Sequence, residues 1–514
     1  MRTEAKTKNS IGRLFFAFLS FVLQIVWSVT LGIWLSNYST AISLAFTFVA
    51  VIVVMRLYCS QANAAFKLPW IIMILAFPVL GICLYTLFGH KEATRGMRKR
   101  FERISPQIIK ALRQEPEVIK ELEVRDFRVA NQCRYLYNYG KYPAYHNTDV
   151  VFYSEASDAF DAQLEELKKA EKFIFMEYHA IEEAQAFSRL KEVLAERVQN
   201  GVEVRLLYDD VGSIGFIDAA FVKRMEAVGV QCRMFNPVTP VFNIFMNNRD
   251  HRKITVIDNK IGFTGGYNLA DEYFNLVHPY GYWKDTGVKL MGEAVESLTA
   301  MFLEMWNAMR HTDTDYEKYL AVPNYQAKET GVVHPYADSP LDSEYVGENV
   351  YLNLIKHAQH YVYIDTPYLI ISDEMRRELS LAAKRGVDVR IITPGIPDKK
   401  PIYRVTRSYY NGLARNGVRI YEYTPGFLPR ILRRDSSHIR NHQCWWKGNR
   451  RQSKQRKGCK VPKLRNMHRS QCVCFRIRGF RRCGSPRKNT RKSYPILPCC
   501  LQGSDRKGPR SFPL

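Results

Sequence analysis

The chain has 514 residues, 46% of them hydrophobic and 13% aromatic, with 75 Lys+Arg against 50 Asp+Glu for a formal net charge of +25. That length exceeds one ordinary folding unit, and that apolar content excludes wholesale disorder. The charge is confined: residues 431–514 hold 24 Lys+Arg and 2 Asp+Glu, which leaves the other 430 residues nearly balanced at 51 and 48. A basicity that belongs to the tail removes most of the support for nucleic acid as a partner of the whole protein. Seven of the 11 cysteines lie in the same tail, and only Cys133 and Cys232 fall in the middle of the chain, which excludes a disulfide framework there.

Residues 14–35 form an uncharged run of 22 residues, long enough to cross a hydrocarbon core of roughly 30 Å. Two further apolar runs follow: 41–55, ending before Arg56, and 68–88, with Trp70 and Tyr85 near its ends as interfacial anchors. The length of the first run and the presence of two more argue for a transmembrane anchor over residues 1–90, multi-pass in the cell membrane, and against a cleaved signal peptide. Basic residues flank the runs on both sides, so the positive-inside rule leaves span number and sidedness open.

Residues 91–140 read as a basic amphipathic linker. Beyond it, β-rich runs alternate with helical ones: 173–178 reads as a buried strand, 188–198 as an amphipathic helix and 202–208 as the next strand. Strands separated by helices imply an α/β fold with a mainly parallel sheet and helices on its faces. The pattern then returns. Ala170-Glu-Lys-Phe-Ile-Phe-Met-Glu-Tyr matches Ala358-Gln-His-Tyr-Val-Tyr-Ile-Asp-Thr, an offset of 188. Asn200-Gly-Val-Glu-Val-Arg matches Arg385-Gly-Val-Asp-Val-Arg, and Val228-Gly-Val-Gln-Cys-Arg matches Asn416-Gly-Val-Arg-Ile-Tyr. A repeat this long means two homologous lobes, 141–330 and 331–428, rather than a solenoid, and paired lobes build a site at their junction.

One segment carries chemistry. His251-Arg-Lys253 opens a strand that reaches Ile257; Asp258, Asn259 and Lys260 supply turn chemistry; the return strand ends in Gly265-Gly266 and is followed by Asn268. Residues i and i+2 of a strand share a face, so His251 and Lys253 point together. An imidazole beside an ammonium suits a phosphodiester: the lysine neutralises non-bridging oxygens while the histidine attacks or moves protons. Gly265 and Gly266 let backbone amides approach a phosphate, and Asn268 can donate a further hydrogen bond. Asp258 completes the spacing, but it lies on the opposite parity and roughly 17 Å along an extended strand from Lys253. Its expected task is to organise the turn or to pair with a cation.

The spacing His-x-Lys-x4-Asp-x6-Gly-Gly-x-Asn resembles the signature of the phospholipase D superfamily. The apolar N-terminal runs, Tyr282-Trp-Lys-Asp285-Thr and Tyr361-Val-Tyr-Ile-Asp-Thr-Pro-Tyr narrow the resemblance to the bacterial cardiolipin synthases, over about residues 40–428. It implies a duplicated α/β fold in which each lobe gives one signature and two histidines face each other. It implies that His251 and Lys253 are catalytic, with Asp258 counted in the signature, that Gly265, Gly266 and Asn268 bind or support the phosphate, and that Asp285 orients the imidazole. It further implies transfer of a phosphatidyl group between two phosphatidylglycerol molecules through a phosphohistidine, with cardiolipin and glycerol as products and no cofactor or metal. Nucleic acid is not expected as a partner. A membrane-tethered hydrolase or nuclease of the same fold, and a non-catalytic basic membrane-surface protein, are the alternatives.

The resemblance stops at Leu428. The second lobe should present its own His-x-Lys there, and the sequence has Pro429-Arg430-Ile431. Residues 431–514 also contain no Ala and no Glu, two of the commonest residues of globular chains. A zinc or nucleic-acid tail is one reading, but Cys472-Val-Cys474 and Cys499-Cys500 lack zinc-module spacing. A tail solvated at a membrane surface is another. Translation in a shifted frame after about Leu428 accounts for both the lost motif and the altered composition, so an out-of-frame basic, Cys-rich tail over 429–514 and an impaired enzyme are expected.

Overall fold

A computed structural model describes residues 40–428 apart from 61–63, 89–94, 114–115, 239–247 and 322–323. It also describes the backbones of three strands beyond Leu428 and scattered residues between 15 and 30. Most of the first apolar run and most of the tail lie outside the described residues.

The second apolar run lies in the helix Thr40–Cys59. The third, expected as one span, is broken into Ala64–Ala76 and Pro78–Phe88. Pro78 has no N–H to continue the ladder, and the two pieces approach so closely that a Cβ on Gly81 would stand 2.5 Å from the Ile74 Cα. No helix among the described residues is long and apolar enough to cross a membrane. The stretch expected as a linker is folded into helices, Arg95–Ala111, Pro116–Arg125 and Phe127–Tyr135. Its apolar positions are core: Phe101, Ile104 and Ile108 pack with the first lobe, and Val118, Leu122, Val129 and Leu136 with the second.

The first lobe is a sheet of β1 (Thr148–Tyr153), β2 (Phe173–Tyr178), β3 (Glu203–Asp209), β4 (Gln231–Phe235), β5 (Lys253–Ile257), β6 (Ile261–Gly265) and, after the short β7 (Tyr282–Trp283), β8 (Gly287–Gly292). The order is β1-β8-β6-β5-β2-β3-β4. Only β2-β3-β4 is parallel; the other pairings are antiparallel. The expectation of a mainly parallel sheet is therefore corrected to a mixed one. The cause is local: Asp258 and Asn259, at φ 52° and 53°, form a tight hairpin that returns β6 beside β5 without a crossover helix. The helix Val295–Met309 lies on one face, buried from Val295 to Ala308, because Arg95–Ala111 covers its outer side. A helix apolar over most of its circumference needs such a cover. Ala156–Leu167 and Gln185–Gln199 close the other face.

The second lobe opens with β9 (Gly331–Ala337) and continues with β10 (Tyr361–Asp365), β11 (Asp388–Pro394), β12 (Arg419–Tyr423), the short β13 (Gly426–Phe427) and β14 (Ile431–Arg434). Its sheet runs β12-β11-β10-β14, with β14 the antiparallel member. This repeats β4-β3-β2-β5 of the first lobe, strand for strand. Two further strands, β15 (Ile439–His442) and β16 (Cys472–Arg478), pair beside β9 in a separate sheet.

Candidate active site

The site forms where β2 ends and β5 begins, at the carboxyl end of the parallel strands, the usual place for a ligand in an open α/β sheet. Lys253, buried as the first residue of β5, pairs across from Tyr178, the last residue of β2. Its Nζ donates to the His251 carbonyl oxygen at 2.9 Å, which keeps the cation beside the histidine. The imidazole of His179, one residue past β2, lies against that of His251, with ring centroids 4.5 Å apart and planes 49° to each other. Sequence reading ended this strand at Tyr178 and missed His179. The available signal was its place at a strand's carboxyl end, one residue before the chain leaves the sheet.

Asp285 is buried and its carboxylate accepts the Thr286 N–H at 2.8 Å and the Trp283 indole N–H at 3.4 Å. Burial pushes its pKa up to about 7, opposed by these donors and by the nearby Lys253 and Lys284 ammonium groups. It stands beside the signature, with Gly266 pressed against it: a Cβ on Gly266 would lie 2.2 Å from the Asp285 Oδ1. This reverses the expected role of the glycines. Gly265 has no room for a Cβ because the Thr286 carbonyl oxygen would be 2.5 Å away, and the Gly266 N–H donates to that same oxygen at 3.3 Å. Both glycines serve close packing of β6 on the Asp285–Gly287 segment, and the Gly266 amide is committed there rather than aimed at a phosphate. Asn268 is likewise engaged: its Oδ1 accepts the Ala180 N–H at 3.2 Å and its Nδ2 donates to the Tyr273 hydroxyl at 2.7 Å.

Asp258, counted in the catalytic signature, stands at the far end of β5. Its carboxylate accepts the backbone N–H groups of Glu171, Lys172 and Phe173 at 2.8, 2.7 and 2.8 Å. It clamps the start of β2, a segment more than eighty positions earlier in the chain.

Further buried acids lie behind the histidines. The Asp209 carboxylate accepts the N–H groups of Gly212 and Asp250 at 3.0 and 2.9 Å; burial raises its pKa to about 7 against the pull of Arg249. Glu177 is fully buried on β2, 3.8 Å from the Arg252 guanidinium. Burial first, and Asp250 second, push its pKa well above the usual carboxylate range.

The second lobe reaches this site. β13 pairs with β7, the Tyr282 N–H donates to the Pro425 carbonyl and the Lys284 N–H to that of Phe427, both at 2.9 Å. The Phe427 ring packs on Trp283 at 4.2 Å. The residues just before the expected second signature thus dock on the segment that carries Asp285.

Sequence comparison decides the family. A family model described as "Cardiolipin synthase, PLD-like domain" matches residues 164–306 and again 351–443, and one described as "Phospholipase_D-nuclease N-terminal" matches 45–90. A cardiolipin synthase of Alkalihalophilus pseudofirmus is 31% identical over 82% of this chain and 83% of its own length. The chain belongs to the bacterial cardiolipin synthase family. An uncharacterized protein of Streptococcus mutans is 42% identical over 73% of this chain and 81% of its own length. Among solved structures, a phosphatidylserine synthase of Haemophilus influenzae aligns with a TM-score of 0.45 at 14% identity, over 68% of this chain and 86% of that one.

The second lobe differs from the first in one strand that bears on the site. β14 occupies on β10 the place that β5 occupies on β2, in the same antiparallel sense. β5 starts at the signature lysine, whereas β14 reads Ile431-Leu-Arg-Arg434 and carries neither His nor Lys.

Proposed function

We propose that this fold transfers a phosphatidyl group from one phosphatidylglycerol to another through a phosphohistidine on His251, and that the 514-residue chain does so poorly. A ring nitrogen of His251 attacks phosphorus, the P–O bond to glycerol breaks, and Lys253 neutralises the non-bridging oxygens. Asp285, held by Thr286 and Trp283, sets the electrostatics beside Lys253. A second phosphatidylglycerol hydroxyl then attacks phosphorus, breaking the P–N bond and forming cardiolipin. A general acid must protonate the departing glycerol, and a base must deprotonate the incoming hydroxyl. In a duplicated site that group comes from the second lobe, and here the strand at its place has no such residue.

The observation that carries this reading is the docking of residues 425–428 on the Asp285 segment by a lobe whose signature strand is blank. We further propose that the chain works at a membrane surface. The helices of residues 40–88 leave Leu44, Phe48, Met55, Ile72 and Phe77 exposed, a surface that water does not favour and lipid does. Translation in a shifted frame after about Leu428 accounts for the lost strand chemistry. Incubating membranes that contain the chain with labelled phosphatidylglycerol tests the activity. Trace cardiolipin plus glycerol supports impaired transfer, phosphatidic acid alone points to hydrolysis by water, and synthesis at the rate of an intact family member refutes the impairment.

A further inference from the structure

We propose that His179 is a positioning residue for His251, so that the first lobe carries a paired-imidazole site of its own; this rests on His251 being the nucleophile. The His179 Nδ1 lies 2.6 Å from the Asp250 carbonyl oxygen. A carbonyl only accepts, so Nδ1 carries the proton, and in the neutral ring the lone pair is at Nε2. The Asp250 N–H, at the other end of that residue, donates to the Asp209 Oδ2 at 2.9 Å. His179 and Asp209 together therefore hold both backbone polar groups of the residue before His251, while the His179 ring braces that of His251.

His179 is itself boxed in. A Cβ on Gly212 would stand 2.0 Å from the His179 carbonyl oxygen and 2.8 Å from its ring Cε1, so the turn capped by Asp209 closes directly against it. Asn268, the last residue of the signature, accepts the N–H of Ala180, the residue after His179. Signature asparagine, capping aspartate and nucleophile turn thus meet around His179 and its neighbour Ala180. Its buried position, at 8% exposure, lets the ring support His251 without standing in the path of a lipid headgroup.

Two substitutions separate its contributions. His179→Asn keeps an N–H donor for the Asp250 carbonyl and removes the ring; His179→Phe keeps the ring and removes the donor. The full chain and each variant are carbethoxylated with diethyl pyrocarbonate across a pH series, and His251 modification is followed by peptide mass. This readout needs no turnover. Asp209, Arg249 and Lys253 stay in place, so replacing the ring that braces His251 should shift the pH midpoint of His251 modification in His179→Phe. The same samples are quenched after exposure to phosphatidylglycerol labelled with phosphorus-32. Formation of acid-labile phosphoenzyme should slow about 10- to 100-fold in both variants, with half-saturating lipid unchanged. An unshifted midpoint together with undiminished labelling overturns the positioning role. Unchanged labelling in His251→Gln overturns the nucleophile reading, while the midpoint arm still decides on His179.

Discussion

At the scale of single residues, the site is surrounded by carboxyls that are not all charged. Glu177 is fully buried with Asp250 beside it and a single guanidinium, Arg252, at 3.8 Å. Burial, with a second carboxylate close by, favours the protonated form of Glu177. The sign of the linkage follows. An unfolded glutamate loses its proton near pH ~4.3, whereas folded Glu177 keeps it to a much higher pH. Between those two values the folded state binds the extra proton, so stability falls as pH rises and then levels off above the folded pKa. Glu177→Gln keeps the shape and stays neutral. We predict a stability, read by thermal unfolding, close to that of the unsubstituted chain near pH 5 and greater than it near pH 8 by about 1–3 kcal/mol. A variant less stable than the parent at the alkaline end would mean that Glu177 is ionised and held by Arg252. The sequence reads 173–178 as a buried strand, but it does not show that Asp250 and Arg252 lie beside Glu177. His179 was hidden in the same way: a histidine just past a strand is ordinary until β5 is known to lie alongside it.

At the scale of elements, the β5–β6 hairpin is where sequence and structure agree most fully. Lys253 and Ile257 bound the strand, and Asp258 and Asn259 take the left-handed conformation that their side chains tolerate. What spacing could not reveal is the partner of Asp258, since residues 171–173 are more than eighty positions away. The contacts divide its two possible roles cleanly. Asp258→Asn keeps one acceptor oxygen and the turn conformation but loses the charge that holds three N–H groups. We predict a stability loss of about 2–3 kcal/mol, read by chemical denaturation, with phosphoenzyme formation per folded molecule within about twofold of the parent. General acid–base participation would instead cost ~10²–10⁴-fold in rate, so the two roles cannot be confused. The apolar run 68–88 shows the opposite outcome. Its hydropathy is continuous, yet Pro78 and the close approach at Gly81 divide it into two helices. Average hydropathy sees composition; a break needs one residue.

At the scale of the whole molecule, the duplication was legible because β2, β3 and β4 keep their wording in β10, β11 and β12, and the strand orders agree. The blank strand was legible for the converse reason: the repeat predicts where a second signature belongs, and the residues there include neither His nor Lys. The first sheet continues past β5 through β6, β8 and β1, whereas among the described residues the second ends at β14. A sheet that stops there leaves a strand edge for other chains to pair with, so poor folding should accompany poor chemistry. We propose that one change of reading frame underlies both. We predict that resequencing the coding DNA across the codons for Phe427 to Asp435 reveals His-x-Lys-x4-Asp in an adjacent frame. Restoring that frame should supply the missing acid/base and its lysine, and raise cardiolipin synthesis by roughly 10²–10⁴-fold. His251→Gln in the restored protein should abolish the gain, since an opposed acid/base has nothing to assist once the nucleophile is removed. If neither alternative frame encodes the signature and the purified 514-residue chain makes cardiolipin at the rate of an intact family member, the shifted frame and the impairment are both refuted, and His179 becomes the first candidate for the missing imidazole.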